Sequence, residues 1–213
     1  TEFGPRVVME TIDSLRRRGI VPLGAGESTA AAHRPALFEL HGLKIALLAY
    51  DDLFVGGEAT EDTPGIALAR EEQVRADIAA ARLMADVVIP YFHWGEEYTT
   101  VPNERQRKLA RWAIEAGASA VVGSHPHWVQ ALETYQGHPI VYSLGNFVFD
   151  QNWSMETRQG AVVHLLFQEG RLAAMRLLAI RIDDHHQPVF VAGAEAQTTL
   201  ERMLAASRRL ANW

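Results

Sequence analysis

The sequence predicts an α/β protein with a largely parallel sheet, and three observations support this. Residues 43–50 form an apolar run that is too uniform for a half-exposed strand, so it predicts a central strand covered on both faces. Two further runs, within residues 85–95 and 118–127, have the same buried character. Helical patterns at residues 69–84 and 103–116 precede these runs, and this alternation is typical of βαβ units.

The first part of the chain predicts a helix and a short strand. Val8, Ile12 and Leu15 recur at helical spacing, and a basic stretch followed by Gly19 is a common helix end. Residues 20–23 predict the strand that follows.

Two hairpin turns lie on either side of the βα units. Residues 36–40 pair with the run at 43–50 through a two-residue turn, and residues 136–139 form a second turn. Residues 51–65 have loop composition, rich in glycine and acidic residues. Two strands at 161–167 and 172–182 and a helix at 195–210 complete the prediction. We find neither a repeat nor a low-complexity linker, so residues 1–213 predict a single domain.

Composition excludes several classes of function. The net charge is −6 and the pI is near 5.8, without the basic excess of nucleic-acid-binding proteins, so no nucleic-acid partner is predicted. The chain has no cysteine, so any metal must be held by histidine, aspartate, glutamate or asparagine. It contains neither a membrane-length apolar run nor a secretory pattern at its start. Because it opens with Thr1 rather than methionine, its localisation stays open.

Three histidines follow the two buried runs at the point where each run ends. His93 comes after the first run, and His125 and His127 come after the second. Ligands of open α/β sheets bind just beyond the carboxyl ends of the strands. Neutral imidazole is a common ligand of divalent transition metals, so these three residues are the predicted metal ligands.

Other polar residues give weaker signals. Glu96 and Glu97 follow His93 closely, and a carboxylate there could bind metal, orient an imidazole or act as a general base. A serine hydrolase is disfavoured because neither Ser124 nor Ser143 lies in a G-x-S-x-G elbow. The remaining histidines have no metal-type neighbours or lie in turns, and we interpret them as structural: His33, His41, His138, His164, His185 and His186.

Three segments together resemble a known family. They are HWGEEY, ERQRKLARWAIEAGASAVVGSHPHWVQ and GHPIVYSLGNFVFDQ, which begin at residues 93, 104 and 137. They resemble bacterial capsule synthesis proteins of the CapA type, which are associated with poly-γ-glutamate and have a fold similar to calcineurin-like metallophosphoesterases. The resemblance implies an α/β/β/α sandwich and a dinuclear centre of divalent metal ions, with Mn, Zn, Fe or Ca as candidates.

The resemblance also implies roles for individual residues. His93 matches the lone metal-binding histidine, and His125 and His127 match the closing pair that contacts both metals. Glu97 and Tyr98 match the family's Glu-Tyr pair after the HWG triplet, and Asn146 matches a loop asparagine at the rim of the site. Glu97 and Asn146 are the candidate catalytic residues. Such a centre would polarise a phosphoester or acyl group and activate water.

One part of the family pattern has no counterpart in this sequence. The family's Gly-Asp strand end, its second acidic residue and its Asn-His pair should lie before Phe3, so the resemblance implies a fragment with the histidine half of the centre. We therefore expect weak metal binding, with Glu97 and Asp150 as the first candidates for substitute carboxylates. We also expect exposed sheet surface and self-association through a free strand edge.

The function that follows from the resemblance is metal-dependent hydrolysis in capsule, poly-γ-glutamate or cell-envelope polymer biosynthesis. The expected partners are an anionic polymer or a small-molecule substrate and a membrane-associated synthase complex, and the cell envelope is the favoured compartment. Two alternatives stay open: a non-catalytic polymer-binding or assembly subunit on the same scaffold, and an intracellular phosphoesterase for a small organophosphate.

Overall fold

The structure, a computed structural model, describes residues 4–53 and 56–210. It confirms a mixed α/β architecture. Along the chain the elements are α1 (Gly4–Arg17), β1 (Ala25–Gly26), α2 (Thr29–Ala32), β2 (Ala36–Leu40), β3 (Leu43–Asp51), β4 (Gly65–Ile66), α3 (Glu71–Arg82), β5 (Val87–His93), α4 (Glu104–Glu115), β6 (Val121–Ser124), β7 (Leu132–Tyr135), β8 (His138–Val141), α5 (Met155–Arg158), β9 (Gln159–Gln168), β10 (Arg171–Ile182), β11 (Pro188–Phe190) and α6 (Gly193–Leu210).

Six strands form the main sheet, in the order β2-β3-β5-β6-β8-β7. The four inner strands are parallel, and the two outer strands run antiparallel to their neighbours. Helices α3 and α4 make the connections into and out of β5, as the alternating pattern predicts. The carboxyl ends of β3, β5 and β6 therefore lie side by side at one edge of the sheet.

Two smaller sheets complete the architecture. Strands β9 and β10 form a long antiparallel hairpin, which β11 extends. This sheet and α6 meet the main sheet through a small apolar cluster of Val129, Val141, Ala161 and Met203. Strands β1 and β4 form a separate two-residue ladder beside α1.

The main core lies between the six-stranded sheet and helices α3 and α4. Ile78 and Leu109 project from the helices onto Leu48 and Phe92 of the sheet. Trp94, fully buried just beyond β5, donates a hydrogen bond from its indole Nε1 to the carbonyl oxygen of Tyr142 at 2.8 Å. This bond passes over β6 and ties β5 to the segment that follows β8.

Strand β3 differs from its prediction on one face. Ala46, Leu48 and Tyr50 are buried against the helices, whereas Leu47 on the opposite face is only half-buried. On the same face, Tyr91 of β5, which pairs with Ala49, is 39% exposed. The prediction of a strand covered on both faces is wrong, because the β9–β10 sheet packs near β8 and leaves the β3 end of this face open.

The predicted strand at residues 20–23 is also wrong. This segment has no strand pairing, and Ile20 and Val21 are exposed. The ladder begins later, where Ala25 pairs with Ile66. An apolar run becomes a strand only where a partner backbone is available, and that partner lies opposite residues 25 and 26. Residues 54 and 55 of the predicted loop lie outside the described residues.

Within the part of the chain that the structure describes, no helix has both the length and the apolar character required to span a bilayer.

Gly123→Ala is expected to destabilise the protein by about 1–3 kcal/mol or more, because overpacking a rigid core forces its neighbours to move. The added Cβ would collide with the Nε1 of Trp94 and with the carbonyl oxygen of Tyr142. Denaturant unfolding monitored by tryptophan fluorescence measures this loss. In a Trp94→Phe background the same substitution should cost less, because the smaller ring removes one of the two collisions; equal costs in both backgrounds would contradict this account.

Strand β2 has an exposed strand edge that is expected to affect the association state of the chain in solution. It is an outer strand of the main sheet, and Leu37 and Leu40 are more than half exposed. We expect the isolated chain to self-associate through this edge, and Leu37→Lys to shift it toward the monomer, because a lysine on an edge strand opposes strand addition. Sedimentation velocity measures the shift. Ala79→Lys, which places the same charge on the exposed face of α3, is the control and should leave the distribution unchanged.

Candidate metal centre

The three predicted histidines lie at one edge of the main sheet. Strands β5 and β6 are parallel neighbours, with His93 in register with Ser124, so His93 and His125 emerge side by side. The ring centroids of His93 and His125 are 4.7 Å apart, and those of His125 and His127 are 5.9 Å apart. The sheet topology therefore brings His93 and His125, which are 32 positions apart in sequence, into one cluster.

Three side chains of this cluster could hold a metal ion as they stand. Glu97, His125 and His127 each place a ligand atom within 4.8 Å of the others. The Nε2 of His127 lies 3.9 Å from Oε1 of Glu97. His93 is outside this trio, and its ring packs against His125 instead. The ligand roles of the four residues remain predictions.

The backbone of this cluster adopts conformations that are unusual for non-glycine residues. His125 has a φ of 96°, and His127 and Tyr98 each have a φ of 59°. Between the histidines, the carbonyl oxygen of Pro126 accepts a hydrogen bond from the backbone N–H of Tyr98 at 2.8 Å. Left-handed conformations of this kind concentrate at functional sites, where surrounding contacts hold them in place.

A buried amide network holds the loop that carries Glu97. Gln106 of α4 accepts a hydrogen bond from the backbone N–H of Asn103 and donates to Gln130 at 2.9 Å. Gln130 in turn donates to the hydroxyl of Thr99 at 3.1 Å. Gly95 packs directly on the Gln106 amide, where a Cβ would collide. Helix α4 thus positions the loop of Glu97 through these contacts of Gln106.

Asn146 fixes the orientation of His127. Its Oδ1 is 2.8 Å from Nδ1 of His127, while its Nδ2 donates to the carbonyl oxygen of Thr157 and to Gln151. Because the Nδ2 must be a donor to reach that carbonyl, the Oδ1 is the acceptor and Nδ1 of His127 carries the proton. In the neutral ring of this tautomer the lone pair lies on Nε2, which is the atom that faces Glu97.

Asn146 itself is 7% exposed and lies behind the ring. The sequence predicted a catalytic asparagine at the rim of the site. Its contacts in the structure are those of a residue that positions His127.

Partial desolvation makes two of the imidazoles weaker bases, although His93 is exposed and His125 is only partly buried. Desolvation lowers the pKa of His93, with a smaller opposing effect from Asp51. Desolvation also lowers the pKa of His125, His93 adds to that decrease, and Glu97 and Asp51 oppose it. A histidine whose pKa is lowered is neutral at neutral pH, and only the neutral ring has a lone pair for a metal.

The structure also separates the cluster from residues that lie elsewhere. Asp150, a predicted substitute carboxylate, is exposed and does not belong to the trio with convergent ligand atoms. His33 bonds to Asp77 at 2.7 Å, and Nδ1 of His138 lies 3.1 Å from the carbonyl oxygen of Ser119.

Sequence reasoning missed Asp51, which lies in register with His93. Its only sequence signal was its place at the end of an apolar run.

Aromatic side chains surround the outer side of the centre. Tyr98 stacks on His127 with a centroid distance of 6.0 Å, and Phe149 approaches the same ring at 5.1 Å. Trp153 meets the edge of Tyr98 and is 67% exposed. We call Tyr98, Phe149 and Trp153 the aromatic rim. Exposed aromatic groups next to a polar cluster are typical of ligand-contacting surfaces.

Comparisons with known proteins identify relatives of this chain. The model of the bacterial capsule synthesis protein PGA_cap family matches residues 1–151. The PGA biosynthesis protein CapA of Bacillus subtilis (strain 168) is 39% identical over 164 residues, which cover 76% of this chain and 43% of that protein. The capsule biosynthesis protein CapA of Bacillus anthracis is 33% identical over 189 residues, 86% of this chain and 46% of that protein. The chain thus spans less than half the length of these two relatives.

A solved structure shows the fold. The putative 5'-nucleotidase of Staphylococcus aureus, solved in complex with alpha-ketoglutarate, superposes with a TM-score of 0.53 at 16% identity and covers 91% of this chain and 38% of its own. This similarity confirms the predicted metallophosphoesterase-type fold.

Asn146→Ala is expected to lower the affinity of the centre for Zn²⁺ by about 10-fold or more, because partners that orient metal-binding histidines typically contribute 10–100-fold. Isothermal titration calorimetry measures the affinity, and ¹⁵N-detected imidazole spectra report whether His127 keeps its Nδ1–H tautomer. Gln151→Ala removes another partner of Asn146 without touching His127 and should have little effect. An unchanged tautomer in Asn146→Ala would contradict the assigned role.

Proposed function

This chain belongs to the bacterial capsule synthesis protein PGA_cap family, and from this premise we propose that it carries a divalent-metal site of a hydrolase that acts in capsule or poly-γ-glutamate biosynthesis. The observation that carries the proposal is the convergence of Glu97, His125 and His127 at the carboxyl edge of the main sheet. The names of the two relatives from Bacillus, a PGA biosynthesis protein and a capsule biosynthesis protein, support the biological process.

The donor atoms suit a transition metal. Two neutral imidazoles and one carboxylate match the mixed nitrogen and oxygen ligands of Zn²⁺, Mn²⁺ or Fe²⁺. Ca²⁺ prefers oxygen ligands alone and fits this set poorly, so we remove it from the candidates. When bound, such an ion would act as a Lewis acid toward a phosphoryl or carbonyl oxygen.

The protein's own residues prepare this chemistry. Asn146 holds His127 in the tautomer whose Nε2 faces Glu97. Desolvation favours the neutral form of His93 and His125. The buried amide network holds residues 95–99, the loop that carries Glu97, in place. Glu97 is half-exposed, so its carboxylate can meet both an ion and a substrate from solvent.

The aromatic rim supports a substrate that lies across the surface. Tyr98, Phe149 and Trp153 extend from His127 toward solvent and offer apolar faces to the backbone or methylene groups of a polymer. Arg105 is already engaged, because it pairs with Asp52, the residue whose backbone N–H bonds to the carbonyl oxygen of His93. Recognition of an anionic group would therefore fall mainly to the metal ion.

The aromatic rim also favours a second candidate function, that of a polymer-binding or assembly subunit without turnover. The exposed ring of Trp153 would contact a polymer whether or not hydrolysis follows. Hydrolysis of a generic phosphoester by the full-length protein, with and without Mn²⁺ or Zn²⁺, distinguishes the two functions. Metal-dependent turnover supports the hydrolase, and polymer binding without turnover supports the subunit.

His93→Ala in the full-length protein is expected to reduce metal content and hydrolytic rate far more than His138→Ala. The ring of His93 packs against His125, whereas His138 lies on β8 and bonds to the carbonyl oxygen of Ser119. Metal analysis of the purified variants and initial rates on a phosphoester measure the difference. Equal losses from the two substitutions would show that His93 is not part of the centre.

A further inference from the structure

Asp51 is placed beside His93 by strand pairing. The two residues are register partners on the parallel strands β3 and β5, so their side chains leave the sheet on the same face. The backbone N–H of Asp52 donates to the carbonyl oxygen of His93 at 2.9 Å, which continues the pairing beyond the strand. The carboxylate of Asp51 therefore emerges next to the imidazole that lies outside the trio of Glu97, His125 and His127.

The position of Asp51 is fixed from both sides. Its backbone N–H donates to Ala67, and its carbonyl oxygen accepts from Ala69, at 2.9 and 2.8 Å. With β5 on one side and residues 67–69 on the other, the strand end has little freedom to move. A ligand held on a rigid element is positioned more precisely than one on a loose loop.

The two adjacent aspartates have different partners. Asp52 has a nearly buried side chain, 4% exposed, that binds Arg105 through two nitrogens at 3.1 and 2.9 Å. The Oδ2 of Asp51 accepts a hydrogen bond from the backbone N–H of Leu53 at 3.1 Å. Within residues 4–53 and 56–210, no cationic side chain forms a salt bridge with Asp51. Its negative charge is therefore not offset by such a partner and can act on the nearby histidines.

The charge of Asp51 reaches more than one ring. It opposes the decrease that burial causes in the pKa of His93, and it does the same for His125. These effects agree with the register, since a carboxylate at the end of β3 faces the rings that follow β5 and β6.

We propose that Asp51 is a second carboxylate ligand of this centre and forms, with His93, a donor pair beside the trio of Glu97, His125 and His127. The centre then has the carboxylates of Asp51 and Glu97 at its two ends and the imidazoles of His93, His125 and His127 between them. Two carboxylates supply the negative charge that neutral imidazoles lack when divalent ions bind. Asp51 takes the role that the sequence had suggested for Asp150. This inference rests on the proposed function only in requiring that the centre binds a divalent ion.

Calorimetric titration with Zn²⁺ and with Mn²⁺ tests the inference on the chain as it stands. Asp51→Asn removes the charge, and Asp51→Ser removes it while keeping an oxygen that can accept the Leu53 hydrogen bond. Both should weaken binding by about 10-fold or more, or remove one bound ion, by analogy with other metal-site partners. Glu96→Gln removes a nearby exposed carboxylate and is the matched control, which should stay within a few-fold of the original affinity.

The outcomes separate the two levels of the argument. Absence of binding by the unaltered chain would count against the proposed metal site itself. Binding that is equal in the unaltered chain and both Asp51 variants would overturn the role of Asp51 and leave the trio in place. Equal weakening in Glu96→Gln would also overturn it, by indicating a general charge effect. The metal-induced rise in melting temperature, taken for each variant against its own metal-free form, corrects for any change in folding stability.

Discussion

The hydrogen bond from Trp94 to the carbonyl oxygen of Tyr142 is the constraint on which the candidate centre depends. It spans three strands, and it fits only because Gly123 in the middle strand has no side chain. The indole also stacks on Phe92 with a centroid distance of 4.7 Å, and Phe92 stacks on Tyr50 of β3. These stacked rings and the hydrogen bond thus keep the carboxyl ends of β3, β5 and β6 and the chain after β8 level with one another. The residues at and just beyond these strand ends carry the side chains of the candidate centre.

The chemistry of the edge follows from this alignment. His93 and His125 meet because the strand ends are level, and partial desolvation disfavours the protonated form of both rings. A separate set of contacts, from Asn146 and from the amides of Gln106 and Gln130, fixes the ring of His127 and the loop of Glu97. Rigid strands and buried polar networks together pre-organise the donor atoms.

Local patterns predicted the parts of this structure that depend on local sequence. The βα units, the hairpins and the placement of His93, His125 and His127 at strand ends all follow from apolar runs and the polar residues after them. Pairing between distant segments was less accessible. The partner of Asp51 is set by the register of β3 against β5, and the strand at residues 20–23 failed because its supposed partner lies opposite Ala25. Likewise, an apolar run shows that a strand can be covered on both faces, but the position of the β9–β10 sheet decides whether it is. The bond between Asn146 and His127 depends on a side-chain contact across 19 residues, which periodicity does not encode.

The left-handed backbone at His125 and His127 limits how this loop can diverge. Glycine, asparagine and aspartate tolerate such φ values at low cost, whereas β-branched residues do not. A lineage that gave up the metal while keeping the loop would therefore move toward glycine or asparagine rather than toward valine or isoleucine. Asparagine or glycine at both positions would then mark a scaffold retained for binding alone, and the substitution pattern among relatives would record whether chemistry or shape had been under selection.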